Sequence, residues 1–266
     1  MIKVHSLNAA DNISIETIAL KKEDVFNNEA HTHNFWEIGY FEKGQGIHTI
    51  DFIDYPIKNA TLYFLKKGIV HTMFRKKGSF GKVIMLSDEM MNNERLLQQL
   101  LYTMPHVYLS KEKILFVKQL FAQLSFFLDE KKTTYFIRQY LQLILSFFES
   151  HATKTIAIDE KIHPFLQYVE SHYSAKLTVE ECAIQLNVSY QKLYTEVQKK
   201  LNKTPLDIIK DRIMLQAKRL LYNTETSIKE IAYLLYFEYS SYFSKYFKSK
   251  TGCTPMAFRV QSRKKK

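Results

Sequence analysis

The sequence contains only two cysteines, Cys182 and Cys253, and they lie far apart in the chain. It therefore shows neither a disulfide framework nor a cysteine-based metal spacing. It also lacks any apolar run of the length, about 18 residues, that a membrane-spanning helix requires. The first residues, Met1 to His5, lack the apolar segment of a secretory signal. We therefore expect a soluble, cytoplasmic protein that does not act at a membrane.

Acidic residues are few in the C-terminal part of the chain. Residues 160–266 contain 19 Lys and Arg against 10 Asp and Glu, whereas residues 1–159 contain 19 against 17. Most of the net charge of +11 is therefore carried by the C-terminal part. A local basic excess is typical of a segment that contacts a polyanion such as DNA.

Residues 1–86 are predicted to be rich in β-strands, because short apolar or alternating segments are separated by turn residues. Asp54-Tyr55-Pro56 is predicted to be one of these turns. Many short strands at this spacing indicate a barrel or a sandwich. The predicted strands are Ile13–Leu20, Trp36–Phe41, Gly46–Phe52, Thr61–Phe64 and Gly81–Leu86.

One group of residues in this region has the ligand types of a divalent metal site: His31, His33, Glu37 and His71. Strand alternation places His31 and His33 on the same face of a strand. These four side chains either bind a metal ion or line an effector pocket and make structural hydrogen bonds. Trp36 is a further candidate for the wall of such a pocket.

Three helical segments are predicted next, over residues 87–104, 111–130 and 132–150. Each carries an apolar stripe that is wider than one amphipathic helix needs to cover a barrel. Either the stripes close on each other within one chain, or one of them packs against a second subunit. Residues 151–159 have no strong periodicity and are predicted to be a linker.

From residue 160 the chain is predicted to be helical. Ser227 and Glu230, three residues apart, form a capping box at the start of one helix. A second helix is predicted to open near Ser240, with Phe243 and Phe247 on its buried side. Two short helices so connected describe a helix-turn-helix, whose second helix enters the DNA major groove.

This pattern occurs twice. Thr178–Ala183 matches Ser227–Ala232 at an offset of 49, and Thr204-Pro205 matches Thr254-Pro255 at an offset of 50. The offset changes by one residue in the turn, where an insertion is tolerated. The repeat predicts two copies of one supersecondary unit. We assign the units to residues 177–201 and 227–250 and the helix between them to 205–221.

The polar side of the second helix of the second unit suits contacts with base edges and phosphates. An ordinary amphipathic helix with a solvated polar face is the alternative. The residues concerned are Ser240, Ser241, Ser244, Lys245 and Lys248.

Residues 160–260 resemble the AraC/XylS family of bacterial transcription regulators, and residues 30–75 resemble the cupin-like barrel of such regulators. The resemblance implies base contacts by Gln191, Tyr194 and Thr195 in the first unit. In the second unit it implies base contacts by Ser240, Ser241, Ser244 and Lys245. The residues that match the family are Ala217, Leu220, Leu221, Thr224, Ser227, Ile228, Glu230, Ile231, Ala232, Phe237, Tyr242, Phe243, Ser244, Phe247, Lys248, Gly252, Pro255 and Arg259.

The turns depart from the family pattern. Members usually have Gly at the position of Tyr236, and the first unit has Asn187 there. Asn accepts a left-handed backbone, whereas Tyr adopts it only at a cost.

We expect an α+β protein of two domains. Residues 1–150 are predicted to form a cupin-like β-barrel with a helical extension, and residues 160–266 an all-α domain with two helix-turn-helix motifs joined by a long helix. The expected function is sequence-specific transcriptional regulation of bacterial genes, controlled by an effector in the barrel. The expected partners are double-stranded DNA, a small-molecule effector, a second copy in a homodimer and RNA polymerase.

We expect no cofactor and no catalytic residue. Two alternatives remain open. One is a metal-dependent cupin enzyme fused to a DNA-binding domain, with His31, His33, Glu37 and His71 as ligands. The other is a ligand-independent regulator whose barrel serves only for dimerisation.

Overall fold

The protein is represented by a computed structural model, which divides into two compact units, Ile2–Ala157 and Ile158–Lys266. Within these units, the structure describes residues 4–5, 12–19, 26–27, 29–91, 105–129, 134–155, 162–173 and 175–264. The units are treated separately below.

The described part of the N-terminal unit is built on two antiparallel sheets. One sheet has five strands in the order β11-β8-β5-β10-β2, and the other has four in the order β3-β9-β6-β7. Strands β1 and β4 form a separate parallel pair. The strands are β1 (Val4–His5), β2 (Ile13–Ala19), β3 (Phe26–Asn27), β4 (Thr32–His33), β5 (Trp36–Lys43), β6 (Gly46–Ile50), β7 (Ile53–Ile57), β8 (Thr61–Leu65), β9 (His71–Arg75), β10 (Phe80–Leu86) and β11 (His106–Tyr108).

Each of the five predicted strands is present, but the one predicted over Gly46–Phe52 ends at Ile50, and the predicted turn at Asp54–Pro56 is wrong. Those residues lie inside β7, and the chain reverses just before it, at Asp51 and Phe52, where φ is 48° and 69°. Pro56 is tolerated because, among the described strands, β7 is at the edge of its sheet and pairs with β6 alone.

Two long helices, α1 (Lys111–Asp129) and α2 (Thr134–Thr155), cover the five-stranded sheet. They confirm the helices predicted over 111–130 and 132–150. Of the helix predicted over 87–104, the described part contains a short 3-10 helix at Asp88–Met91, and residues 92–104 lie outside the described residues. The apolar stripes of α1 and α2 pack against each other and against the sheet within one chain. Val117, Leu120, Phe121, Leu124, Leu141, Ile144 and Phe148 share a core with Ile38, Leu62 and Ile84 of the sheet.

The predicted linker over 151–159 is wrong in its first part. Helix α2 continues to Thr155, because residues 151–155 contain neither Gly nor Pro to end it.

The C-terminal unit contains seven helices among its described residues. The two helix-turn-helix units are formed by α4 with α5 and by α7 with α8, and α6 joins them as predicted. The two sheets and this helical unit together confirm the two-domain α+β fold class. The helices are α3 (His163–His172), α4 (Val179–Gln185), α5 (Tyr190–Leu201), α6 (Pro205–Asn223), α7 (Ile228–Leu234), α8 (Ser240–Thr251) and α9 (Pro255–Lys264).

Among the described residues, no helix is both long and apolar enough to span a lipid bilayer.

Candidate functional site

Strand β5 directs its side chains into two different cores. Ile38 and Tyr40 are buried in the core that includes α1 and α2, whereas Phe41 is buried in a second core with Tyr63. Alternation along the strand places Glu37 on the same face as Phe41 and Trp36 on the opposite face.

The prediction that Trp36 lines the pocket with Glu37 is therefore corrected. Trp36 packs against the helical core, and its ring stacks on Phe64 with 5.8 Å between centroids. Its indole Nε1–H donates a 2.9 Å hydrogen bond to Oδ1 of Asp88. A one-residue step along β5 explains the difference, since neighbouring side chains point to opposite faces of a sheet.

On the other face, three of the four candidate ligands converge. One potential ligand atom from each of His33, Glu37 and His71 lies within 4.8 Å of the other two. Nε2 of His33 is 3.3 Å from Oε2 of Glu37. His33 and Glu37 are four residues apart, in β4 and β5, and the backbone bridge between His31 and His71 brings His71 of β9 beside them.

Hydrogen bonds orient two of these side chains. Nδ1 of His33 is 2.8 Å from the carbonyl oxygen of Phe35. A carbonyl only accepts, so Nδ1 donates its proton to it, and Nε2 faces Glu37. The hydroxyl of Tyr63 donates a 2.8 Å hydrogen bond to Oε1 of Glu37 and leaves Oε2 for another partner.

The protonation states also fit a metal site. Burial alone raises the pKa of Glu37, but the hydrogen bond and charge of His33 and the charge of His71 outweigh it and lower that pKa to about 2. Burial lowers the pKa of His71 to about 3. A metal ion requires a deprotonated carboxylate and neutral imidazoles, and at pH 7 Glu37 and His71 are in those states.

His31 does not join this group, which corrects the four-ligand prediction. Its backbone pairs directly opposite that of His71 in an antiparallel bridge, with both N–H to O distances at 3.1 Å. Its ring therefore packs beside the ring of His71, with 4.2 Å between centroids. Nδ1 of His31 is 2.9 Å from the carbonyl oxygen of Glu29.

Two further histidines belong to this interior and escaped the sequence analysis. His48 and His106 are 0% and 6% exposed, and Nδ1 of His48 is 3.1 Å from Nε2 of His106. The ring of His48 also lies edge-on to those of Tyr63 and His71. The alternation of β6 could have predicted that His48 is buried, because it lies on the same face as Ile50. His106 could not have been predicted in this way, because its strand has only three residues and shows no alternating pattern.

The outer nitrogens of this pair have no hydrogen-bond partner among the described residues. They are Nε2 of His48 and Nδ1 of His106. Burial lowers the pKa of His106 to about 4 and that of His48 well below 6.5, so both rings are neutral at pH 7. Because one N–H fills the shared bond, one outer nitrogen is a donor and the other an acceptor.

In the C-terminal unit, the capping box predicted at Ser227 is confirmed, and Thr178, its counterpart in the first helix-turn-helix unit, forms one too. Thr178 and Ser227 each accept a hydrogen bond from the backbone N–H three residues on. In return, the carboxylates of Glu181 and Glu230 accept hydrogen bonds from the backbone N–H groups of Thr178 and Ser227. These reciprocal bonds fix where the first helix of each unit begins.

The turns of the two units have the same backbone. Asn187 and Tyr236 both adopt left-handed conformations, with φ of 53° and 62°. The next residue donates to the carbonyl five positions back in each case, from Val188 to Ala183 and from Phe237 to Ala232. This is the Schellman pattern of a helix end. Tyr236 therefore leaves the turn geometry of the second unit intact.

The second helices, α5 and α8, occupy the position of the recognition helix in a helix-turn-helix. Their buried faces hold Leu193 with Val197 and Phe243 with Phe247, which correspond at an offset of 50. At that offset Gln191, Tyr194 and Thr195 correspond to Ser241, Ser244 and Lys245.

The predicted base-contacting side chains lie away from the buried face. Gln191, Thr195, Ser241, Lys245 and Lys248 are exposed, and Tyr194, Ser240 and Ser244 are half-buried. Tyr194 stacks on Tyr190, and Thr195 donates its hydroxyl to the carbonyl of Gln191 at 2.8 Å.

The same division appears in comparisons with known proteins. An AraC-like ligand-binding domain model matches residues 12–112, and a helix-turn-helix domain model matches residues 182–261. The chain belongs to the AraC family. The two models assign a ligand-binding domain to the N-terminal unit and a helix-turn-helix domain to the C-terminal unit.

Individual relatives of this AraC-family chain are distant. An uncharacterised HTH-type regulator of Escherichia coli, YdiP, is 31% identical over 86 residues, which are 32% of this chain and 28% of YdiP. ToxT from Vibrio cholerae is 17% identical with a TM-score of 0.43, covering 94% of this chain and 97% of ToxT. The C-terminal domain of AraT from Geobacillus stearothermophilus is 30% identical with a TM-score of 0.37, covering 41% and 88%.

Proposed function

We propose that this AraC-family chain binds a specific DNA sequence. We also propose that a small molecule inside the two-sheet part of the N-terminal unit, called the β domain below, controls this binding. The observation that carries the proposal is the repeated helix-turn-helix unit, whose two recognition helices expose polar side chains at corresponding positions. The basic excess of residues 160–266 supports it, since phosphate contacts by Lys and Arg supply much of DNA affinity.

The two recognition helices offer different chemistry to DNA. In the first, the amide of Gln191 can pair with adenine through two hydrogen bonds, and the methyl group of Thr195 can contact a thymine methyl. In the second, Lys245 can reach a guanine or a phosphate, and the short Ser244 allows close approach.

A DNA selection tests the first half of the proposal. The full chain is used to select duplexes from a random library, and affinity for the enriched and a scrambled duplex is then measured at several salt concentrations. We expect one enriched sequence and a steep fall of affinity with salt. Enrichment of no sequence, or salt-independent affinity, would contradict the proposal.

The His48–His106 pair supports the second half, the effector site. Buried polar atoms in proteins are nearly always hydrogen-bonded, and an effector with both a donor and an acceptor would satisfy the two outer nitrogens. Thermal-shift screening of metabolites on the full chain should therefore find a ligand that stabilises the native protein. The same ligand should stabilise the His48→Phe variant less; equal stabilisation would place the effector elsewhere.

We also propose a homodimer that forms through the helices of the N-terminal unit. Apolar side chains on the outer faces of α1 and α2 remain exposed, among them Leu115 at 64% and Tyr135 at 67%. Sedimentation analysis of the wild type and of Leu115→Lys tests this. We expect a dimer that the charge weakens, and a monomeric wild type would contradict it.

A further inference from the structure

We propose that His33, Glu37 and His71 bind one divalent first-row transition-metal ion through three protein ligands. This inference extends the proposed function, because it makes the ion a component of the effector site in the β domain. It names a smaller ligand set than the four residues of the sequence pattern, since His31 is excluded.

The separation of the ligand atoms supports such an ion. Two neighbouring ligands at about 2.0–2.1 Å from a tetrahedral or octahedral ion lie about 2.8–3.4 Å apart. Nε2 of His33 and Oε2 of Glu37 are 3.3 Å apart, and all three ligand atoms lie within 4.8 Å of one another.

The hydrogen bonds around the group have the pattern of a supporting outer shell. Metal-bound histidines usually donate their other N–H to a carbonyl or carboxylate, as Nδ1 of His33 does to Phe35. Ligating carboxylates are also hydrogen-bonded, as Oε1 of Glu37 is by Tyr63. Both bonds leave the inner atoms, Nε2 and Oε2, directed at each other.

The donor set indicates the class of ion. Two imidazoles and one carboxylate suit zinc, iron(II), cobalt(II) or manganese(II) rather than calcium, which prefers six to eight oxygen ligands. Three protein ligands also leave at least one coordination position for water or for an oxygen or nitrogen atom of an effector.

Metal titration of the full chain tests the site. The protein is stripped with a chelator and titrated with cobalt(II), whose visible absorption reports its coordination, and zinc(II) is measured by calorimetry. We expect one ion per chain. Glu37→Gln and His71→Ala should each lower affinity by more than about 100-fold, whereas Tyr63→Phe should lower it about 10-fold, as outer-shell changes do.

His31→Ala is the matched control, because it removes a neighbouring imidazole outside the group. It should bind the ion with nearly wild-type affinity. Circular dichroism checks that every variant is folded, and the isosteric Glu37→Gln keeps the test valid if an alanine variant does not fold. Absence of stoichiometric binding, or an equal loss in His31→Ala and His71→Ala, would overturn the proposal.

DNA affinity of the metal-free and metal-loaded chain separates this inference from the proposed function. A change in affinity on loading would support the ion as part of the effector site. Binding of the ion with no change in DNA affinity would contradict its part in regulation. Failure of the wild type to select any DNA sequence would contradict the proposed function alone, because it is measured without reference to the ion.

Discussion

Asn187 and Tyr236 occupy the same position in the turns of the two helix-turn-helix units, and both have a left-handed backbone. The two side chains differ greatly in their tolerance of that conformation. Asn adopts it readily, whereas the bulkier Tyr pays for it in steric energy. The second unit therefore holds a strained turn that the first avoids.

Replacing Tyr236 by Gly should stabilise the second unit. Gly has no Cβ to clash at positive φ, and Tyr236 is 53% exposed, so little packing is lost. We expect the free energy of unfolding to rise by about 1 kcal/mol. Urea unfolding followed by far-UV circular dichroism measures it. Asn187→Gly is the control, and its free energy of unfolding should change by at most about 0.3 kcal/mol, because Asn already accepts this backbone conformation. A loss of stability in Tyr236→Gly would show that the Tyr236 ring itself stabilises the fold.

Substitutions at the N-caps of α5 and α8 are predicted to change the free energy of unfolding in opposite directions. Ser189 accepts a 3.2 Å hydrogen bond from the backbone N–H of Lys192, but its counterpart Tyr239 makes no side-chain cap bond. Ser189→Ala should lower the free energy of unfolding by about 1 kcal/mol, and Tyr239→Ser should raise it by about 0.5–1 kcal/mol. Chemical denaturation of both variants provides the comparison, and a loss of stability in Tyr239→Ser would contradict the prediction.

Gln191 is predicted to read a base. Gln191→Ala should weaken binding to the selected duplex by about 1–3 kcal/mol and relax preference at one base position. The control is Lys248→Ala, which should weaken binding to all duplexes alike and lower the salt slope by about one. Fluorescence anisotropy with selected and scrambled duplexes gives both quantities. Equal weakening of the two duplexes by Gln191→Ala would mean that Gln191 is not a base reader.

Gly39 is predicted to be required by Tyr63. A Cβ at position 39 would lie 1.9 Å from Cε1 of the Tyr63 ring, which is buried and cannot move freely. Gly39→Ala should cost about 1–3 kcal/mol of stability. Fluorescence of Trp36, the single tryptophan, reports unfolding of this unit. A Gly39→Ala, Tyr63→Leu double variant should lose less than the sum of the single losses; additive losses would show that the two positions are independent.

The C-terminal unit was the more predictable from sequence. Its helix starts depend on local hydrogen bonds between residues three apart, such as Ser227 with Glu230, and such patterns are visible in the sequence. Because the unit occurs twice, each predicted helix start was supported by a second copy in the sequence. Even the costly Tyr236 did not change the turn, because the hydrogen bond from Phe237 to Ala232 and the helices on either side determine its backbone.

The interior of the β domain was less predictable, because strand pairing brings distant residues together. The pairing of β9 with β6 and of β11 with β8 brings His71, His48 and His106 into one interior, and no local spacing encodes that. For His31, the sequence spacing predicted a ligand that the structure does not place in the group. It has the expected spacing from His33, but its bridge to His71 places its ring beside the group.

The proposed DNA contacts of α5 and α8 give the bound DNA sequence a direction. The two helices follow one another along a single chain, and they carry different side chains at each corresponding position, such as Gln191 against Ser241. A duplex that satisfies both would be asymmetric, so turning it end for end would turn the bound protein with it. A single chain could therefore distinguish upstream from downstream along a gene.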